Sequence, residues 1–186
     1  MAERVCPWWV GYLLASPMRR WSMQNPETLL APFVREGMTV VEPGPGMGFF
    51  TLPLARLVGG TGRVVAIDIQ QKMLDGLRRR ARKAGLIDRI DARLAQPQSM
   101  GLEDLKGTAG FVLAFAVVHE MPSTGVFFAE AAAALKPGGL LLLAEPAGHV
   151  KPEAFQMELD VAHAAGLAEL GRPAIRKCLA ALFKKL

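Results

Sequence analysis

The residues best suited to chemistry lie in one short stretch, Glu42-Pro43-Gly44-Pro45-Gly46-Met47-Gly48-Phe49, and at Asp68, about twenty residues beyond it. Three closely spaced glycines let the backbone turn tightly and approach a ligand. An acid ending the next apolar run can accept hydrogen bonds from both hydroxyls of a ribose. Together they outline a nucleoside-binding corner. Glu42 narrows the choice: a carboxylate beside the loop repels a pyrophosphate but suits a cationic group, directly or through water. A nicotinamide-dinucleotide site is the first rival. Its G-x-G-x-x-G pattern, counted from Gly44 and Gly46, would put the third glycine at Phe49, whereas the third glycine here is Gly48.

A second group of reactive side chains follows two apolar runs. Phe111 to Val118 leads into His119-Glu120, and Gly138 to Ala144 leads into Glu145-Pro146-Ala147-Gly148-His149. His119 and Glu120 are the candidate general bases, needed only if a nucleophile must lose a proton. The competing reading of His119 is a loop histidine bonded to backbone. His149 is either a substrate contact or part of a structural turn.

The elements that would position these groups alternate along the chain. Residues 7–23 read as an opening helix, kinked or split at Pro17. Its Trp8, Trp9, Tyr12 and Trp21 either wall an apolar substrate pocket or pack on the sheet or on a second subunit. Asn25-Pro26-Glu27 starts a helix running toward Glu36 and stopping at Gly37. Strands are expected at 38–42, 63–68, 90–94, 110–115 and 140–145. Helices are expected at 49–58, 71–84, 124–135 and 152–165, and Lys136-Pro137-Gly138-Gly139 reads as a turn. Segments 167–170 and 179–183 are candidate final strands and could form an antiparallel edge. Strands alternating with helices of this length give an α/β, doubly wound sheet, which binds ligands at the carboxyl ends of its strands. Residues 1–24 then form an N-terminal lid or substrate segment, and residues 25–186 form the ligand-binding domain.

Composition sets the frame. The 186 residues, 51% hydrophobic and 21% charged, suit a globular chain. Net charge is +5, but the basic residues are spread over helices and the tail, which favours solvated faces over a nucleic-acid patch. The two cysteines, Cys6 and Cys178, show no metal-ligand spacing, so no metal is expected and a reduced, cytoplasmic location is. No apolar run is long enough to span a membrane, and no signal peptide is read at the start.

Taken in order, these motifs resemble those of class I methyltransferases dependent on S-adenosylmethionine (SAM), and most of all the broad group that includes the ubiquinone and menaquinone biosynthesis enzymes. Glu42 to Gly48 resembles the family's first motif, E/D-x-G-x-G-x-G. Val65-Ala66-Ile67-Asp68-Ile69 looks like the second, Phe111 to His119 like the fourth, and Leu135-Lys136-Pro137-Gly138-Gly139 like the turn before the fifth strand. The resemblance covers roughly residues 25–186. It implies a Rossmann-like sheet of seven strands, mostly parallel, in the order 3-2-1-4-5-7-6 with strand 7 antiparallel. It also implies SAM as cofactor, S-adenosylhomocysteine as product, and a cofactor site at Glu42, Gly44, Pro45, Gly46, Gly48, Phe49, Asp68, Ile69, Met73, Gln96 and Phe115. Two departures stand out: Gln96 occupies the place of an adenine-binding Asp, and Gly110 the place of an Asp that commonly opens the fourth motif. The expected function is methyl transfer to a small molecule, with no stable nucleic-acid partner and a homodimer among the possibilities. The alternatives are a protein or nucleic-acid acceptor, or a non-catalytic SAM-binding scaffold.

Overall fold

The computed structural model describes Trp9, residues 25–96 and residues 98–186. Trp8, Tyr12 and the rest of the expected opening helix lie outside these; Trp9 sits in a turn and is exposed. Strands and helices alternate as α1 (Pro26–Leu30), β1 (Thr39–Pro43), α2 (Thr51–Leu57), β2 (Arg63–Asp68), α3 (Gln71–Lys83), β3 (Ile90–Leu94), β4 (Ala109–Phe115), α4 (Thr124–Ala134), β5 (Leu135–Pro146), α5 (Pro152–Ala164), β6 (Leu167–Gly171) and β7 (Cys178–Lys185). The strand order is β3-β2-β1-β4-β5-β7-β6, as the resemblance implied. The chain divides into two compact units, Met1–Ala95 and Gln96–Leu186.

In the first unit β1 pairs parallel with β2, and β2 parallel with β3. Val40, Val41 and Val64 through Ile67 are buried, as are Leu54, Ala55 and Val58 in and after α2 and Leu74 and Leu77 on α3. Runs that are apolar throughout, rather than alternating, mark strands covered on both faces. Asn25 caps α1, its side-chain oxygen accepting the Glu27 N–H at 2.9 Å, with Pro26 at the first helical position. This helix ends at Leu30, well short of the expected Glu36. Pro32 has no N–H to continue the ladder, and the chain closes instead with Phe33 and Val34 N–H groups on the Leu30 carbonyl, at 2.9 and 3.1 Å.

In the second unit β4 pairs parallel with β5, and β7 runs antiparallel to both β5 and β6. The core includes Phe111, Phe127, Phe128 and Phe183. Lys136-Pro137-Gly138-Gly139, expected as a turn, belongs to β5. Ala109 lies opposite Leu135 but Phe111 lies opposite Leu140, so the intervening residues of β5 bulge out of register. Gly138 supplies a φ of 75° there, and a Cβ on Gly139 would stand 2.9 Å from the Lys136 carbonyl oxygen. Among the described residues no helix is long and apolar enough to cross a membrane.

Candidate functional site

In the first unit the glycine loop leaves β1 and is held by α3. Gly44, Gly46 and Gly48 all have positive φ, at 65°, 54° and 85°. The Gly44 N–H donates to the Ile67 carbonyl at 2.8 Å, and the Gly48 N–H to the Pro45 carbonyl at 2.9 Å. Gly46 and Gly48 have different surroundings. A Cβ on Gly46 would meet nothing within 4 Å, so that side of the loop is open. A Cβ on Gly48 would stand 2.5 Å from Leu77 Cδ1, so this glycine lets α3 pack against the loop. Pro45 and Phe49 are buried, and the Phe49 ring meets Phe50 edge-on.

Glu42, only 3% exposed, lies in the buried run of β1. One of its carboxylate oxygens is buried with no hydrogen-bond partner. Burial pushes its pKa up to about 8; the nearby Thr51 hydroxyl opposes the shift and the Asp68 charge adds to it. Asp68, at the end of β2, accepts the Gln70 N–H at 2.8 Å and so shapes the entry to α3. Ile69, the next residue, is exposed, whereas Met73 is buried on the first turns of α3.

Two positioning residues in this unit were not among the sequence candidates. Arg80 on α3 donates from Nη1 to the Met47 carbonyl oxygen, clamping the loop to the helix, and its burial lowers its pKa. Gly76, mid-helix on α3, makes room for Met47: a Cβ there would lie 2.8 Å from Met47 Cγ. A glycine inside a helix costs about 1 kcal/mol against alanine, and that anomaly is the signal the sequence offered.

In the second unit the chain turns sharply after β4. Ala116 has a φ of 55°, a left-handed conformation uncommon for a residue with a side chain, and its N–H donates to the Ala144 carbonyl at 2.7 Å. The turn aims the next two amides at one acid. Glu145, fully buried near the end of β5, accepts the Val117 and Val118 N–H groups on Oε1, at 3.3 and 2.8 Å. Its Oε2 accepts from His119 Nδ1. His119 Nε2 lies 3.9 Å from Glu120 Oε1, and the His119 side chain is 22% exposed. The bond to Glu145 raises the His119 pKa, with the Glu145, Glu120 and Glu158 charges acting in the same direction and burial opposing them. Sequence reasoning put His119 in a loop; it did not find that a buried acid holds it. The available signal was Glu145 itself, an acid closing an otherwise apolar strand.

The remaining candidates in this unit are more scattered. The His149 ring centre is 6.1 Å from that of His119, and its own residue is exposed. Phe115 is buried at the end of β4. Gln96 is exposed and forms an isolated bridge with Ser99. Gly110 is buried where the β4–β5 register shifts. Among the described residues no cluster of three or more His, Cys, Asp or Glu is arranged to hold a metal ion.

This geometry has counterparts in known proteins. Residues 41–143 match the family model described as a methyltransferase domain. The ubiquinone biosynthesis O-methyltransferase of Methylocella silvestris is 32% identical over 147 residues, which are 78% of this chain and 55% of that protein. The ribosomal protein L11 methyltransferase of Pelotomaculum thermopropionicum is 34% identical over 143 residues, 75% of this chain and 41% of that one. The chain thus spans about half the length of the curated relatives it matches. Among solved structures, a SAM-dependent methyltransferase from Aquifex aeolicus superposes with a TM-score of 0.86 at 24% identity, covering 98% of this chain and all of that one.

Proposed function

Given that the chain belongs to the methyltransferase-domain family of class I, SAM-dependent enzymes, we propose that it binds SAM and transfers the methyl group to a small-molecule acceptor. The observation that carries this reading is Glu42, an acid buried beside a glycine loop with an oxygen lacking any partner. Such an oxygen is costly to bury unless a ligand donor meets it, and a charged ammonium meets it best. The open side of Gly46 fits close approach of a ligand to the backbone. In this reading Gly44, Pro45, Gly46 and Phe49 line the cofactor, Asp68 takes the ribose hydroxyls, and Ile69 and Met73 flank the base; Gln96 and Phe115 are further proposed cofactor contacts. Gly48 acts indirectly, by admitting Leu77.

When bound, SAM supplies a methyl carbon made electrophilic by its sulfonium. The chain's own contribution to the chemistry centres on His119. In the neutral ring, donation of Nδ1–H to Glu145 leaves Nε2 with the lone pair. Nε2 would then take the proton that an acceptor hydroxyl or amine loses on methylation, S-adenosylhomocysteine being the leaving group. Glu145 keeps the ring oriented and stabilises the imidazolium that results. Glu120 adds negative charge on the Nε2 side, and Trp8, Trp9, Tyr12 and His149 are the proposed acceptor contacts.

The similarity to a ribosomal protein methyltransferase favours a second reading, a protein acceptor. Calorimetric titration with SAM, S-adenosylhomocysteine and NADH tests the cofactor. Binding of the first two without the third is expected, and a folded chain that binds none of them refutes the proposal. A screen of phenol, amine and protein acceptors with mass detection then separates the two readings.

A further inference from the structure

From Phe111 to His119 the sequence holds neither glycine nor asparagine, the residues that most readily take a left-handed turn. The backbone makes one there all the same. Among the described residues other than glycine, Ala116 and Lys177 alone have positive φ, 55° and 61°. A left-handed residue with a Cβ is unfavourable by itself and persists where the surrounding bonds over-determine it.

For Ala116 those bonds all end on β5. Its own N–H donates to the Ala144 carbonyl at 2.7 Å, at the last paired position of β4 and β5. The next two N–H groups, of Val117 and Val118, converge on Oε1 of the buried Glu145, at 3.3 and 2.8 Å. Successive N–H groups converge on one anionic atom only where the chain turns out of the extended form. Oε1 is thereby committed to two fixed backbone donors, and Oε2 faces His119 Nδ1. A carboxylate only accepts, so the ring nitrogen it meets is a donor.

We propose that the left-handed turn at Ala116 decides which imidazole nitrogen of His119 is the proton acceptor. By pinning Glu145 Oε1 it fixes Oε2 on Nδ1, and the neutral ring keeps its lone pair on Nε2. Ala116 is thus a positioning residue, acting through its backbone conformation rather than through its methyl group. The consequence for methyl transfer rests on the reading of His119 as the base; the choice of tautomer does not.

The test is nitrogen NMR of the His119 imidazole in the full chain, at a pH where the ring is neutral, which identifies the protonated nitrogen. Wild type and Ala116→Gly should carry the proton on Nδ1, because glycine takes the left-handed conformation freely. Ala116→Val should divide it between the two nitrogens, because a β-branched residue resists that conformation. Glu145→Gln gives a sharper outcome and guards against a valine variant that folds poorly. A glutamine presents one accepting oxygen and one donating nitrogen. With its oxygen held by the Val117 and Val118 N–H groups, its nitrogen must face the ring, so the imidazole proton should move from Nδ1 to Nε2. A glutamine variant that keeps the proton on Nδ1 overturns the proposal. So does a folded valine variant indistinguishable from wild type, or a glycine variant that loses the Nδ1 proton. If these chains behave as expected but His119→Ala keeps full methyl-transfer activity on an identified acceptor, the positioning stands and the reading of His119 as the base fails.

Discussion

Glu42 is expensive to keep. Its pKa is raised from 4.5 to about 8, so the folded chain holds a proton that the unfolded chain gives up. Between those values the folded state binds more protons than the unfolded state, and stability therefore falls as pH rises from about 4.5 to about 8. A cation docking on Glu42 reverses the preference and drives the proton off. Two consequences follow for Glu42→Gln. The variant should be more stable than wild type at alkaline pH, by about 1–3 kcal/mol in denaturant titrations, because no charge needs to be buried. It should also bind SAM about tenfold more weakly or worse, having lost a charge-assisted bond. The diagnostic readout is calorimetry at pH 7 in buffers of different ionisation enthalpy: wild type should release a proton on binding SAM, and the variant none. Equal proton release by both would remove Glu42 from the cofactor site.

At the scale of elements, α3 holds the loop in place through Met47 over Gly76, Leu77 under Gly48, and Arg80 on the Met47 carbonyl. Gly76→Ala separates positioning from stability. The added methyl gains roughly 1 kcal/mol of helix propensity but displaces the flexible end of Met47. Its melting temperature should stay near wild type while its SAM affinity falls several-fold, and unchanged affinity would show that Met47 does not position the loop. This clamp also marks the boundary of what the sequence discloses. The strands were legible because wholly apolar runs between turn residues have few other homes, and their order followed from the family motifs. The glycine loop and Asp68 were legible because their spacing is local. The α1 terminus was missed because the influence of Pro32 outweighed the apolar pattern, and the bulge in β5 because a proline and two glycines read as a turn on their own. Arg80, Gly76 and the bond between Glu145 and His119 were missed for a common reason. Each joins residues 26 to 33 positions apart, and such pairings belong to the tertiary fold.

At the scale of the whole molecule, all seven strands lie within these residues, and the chain covers the full length of the Aquifex aeolicus structure. The longer curated relatives carry additional sequence, but the elements assigned here to the cofactor are already present in this chain. If those elements suffice, the chain by itself should gain stability from SAM by mass action. At a free concentration of about 100 times the dissociation constant the gain is roughly 2.7 kcal/mol. For a chain of this size that corresponds to a rise of roughly 5–10 °C in melting temperature. S-adenosylhomocysteine should also stabilise, and NADH should not. The rise should grow with the logarithm of ligand concentration, which distinguishes specific binding from a solvent effect. A sharp, cooperative melt that none of these ligands shifts would mean that the sheet alone does not make a cofactor site, and that the missing part must come from sequence or a partner beyond these residues.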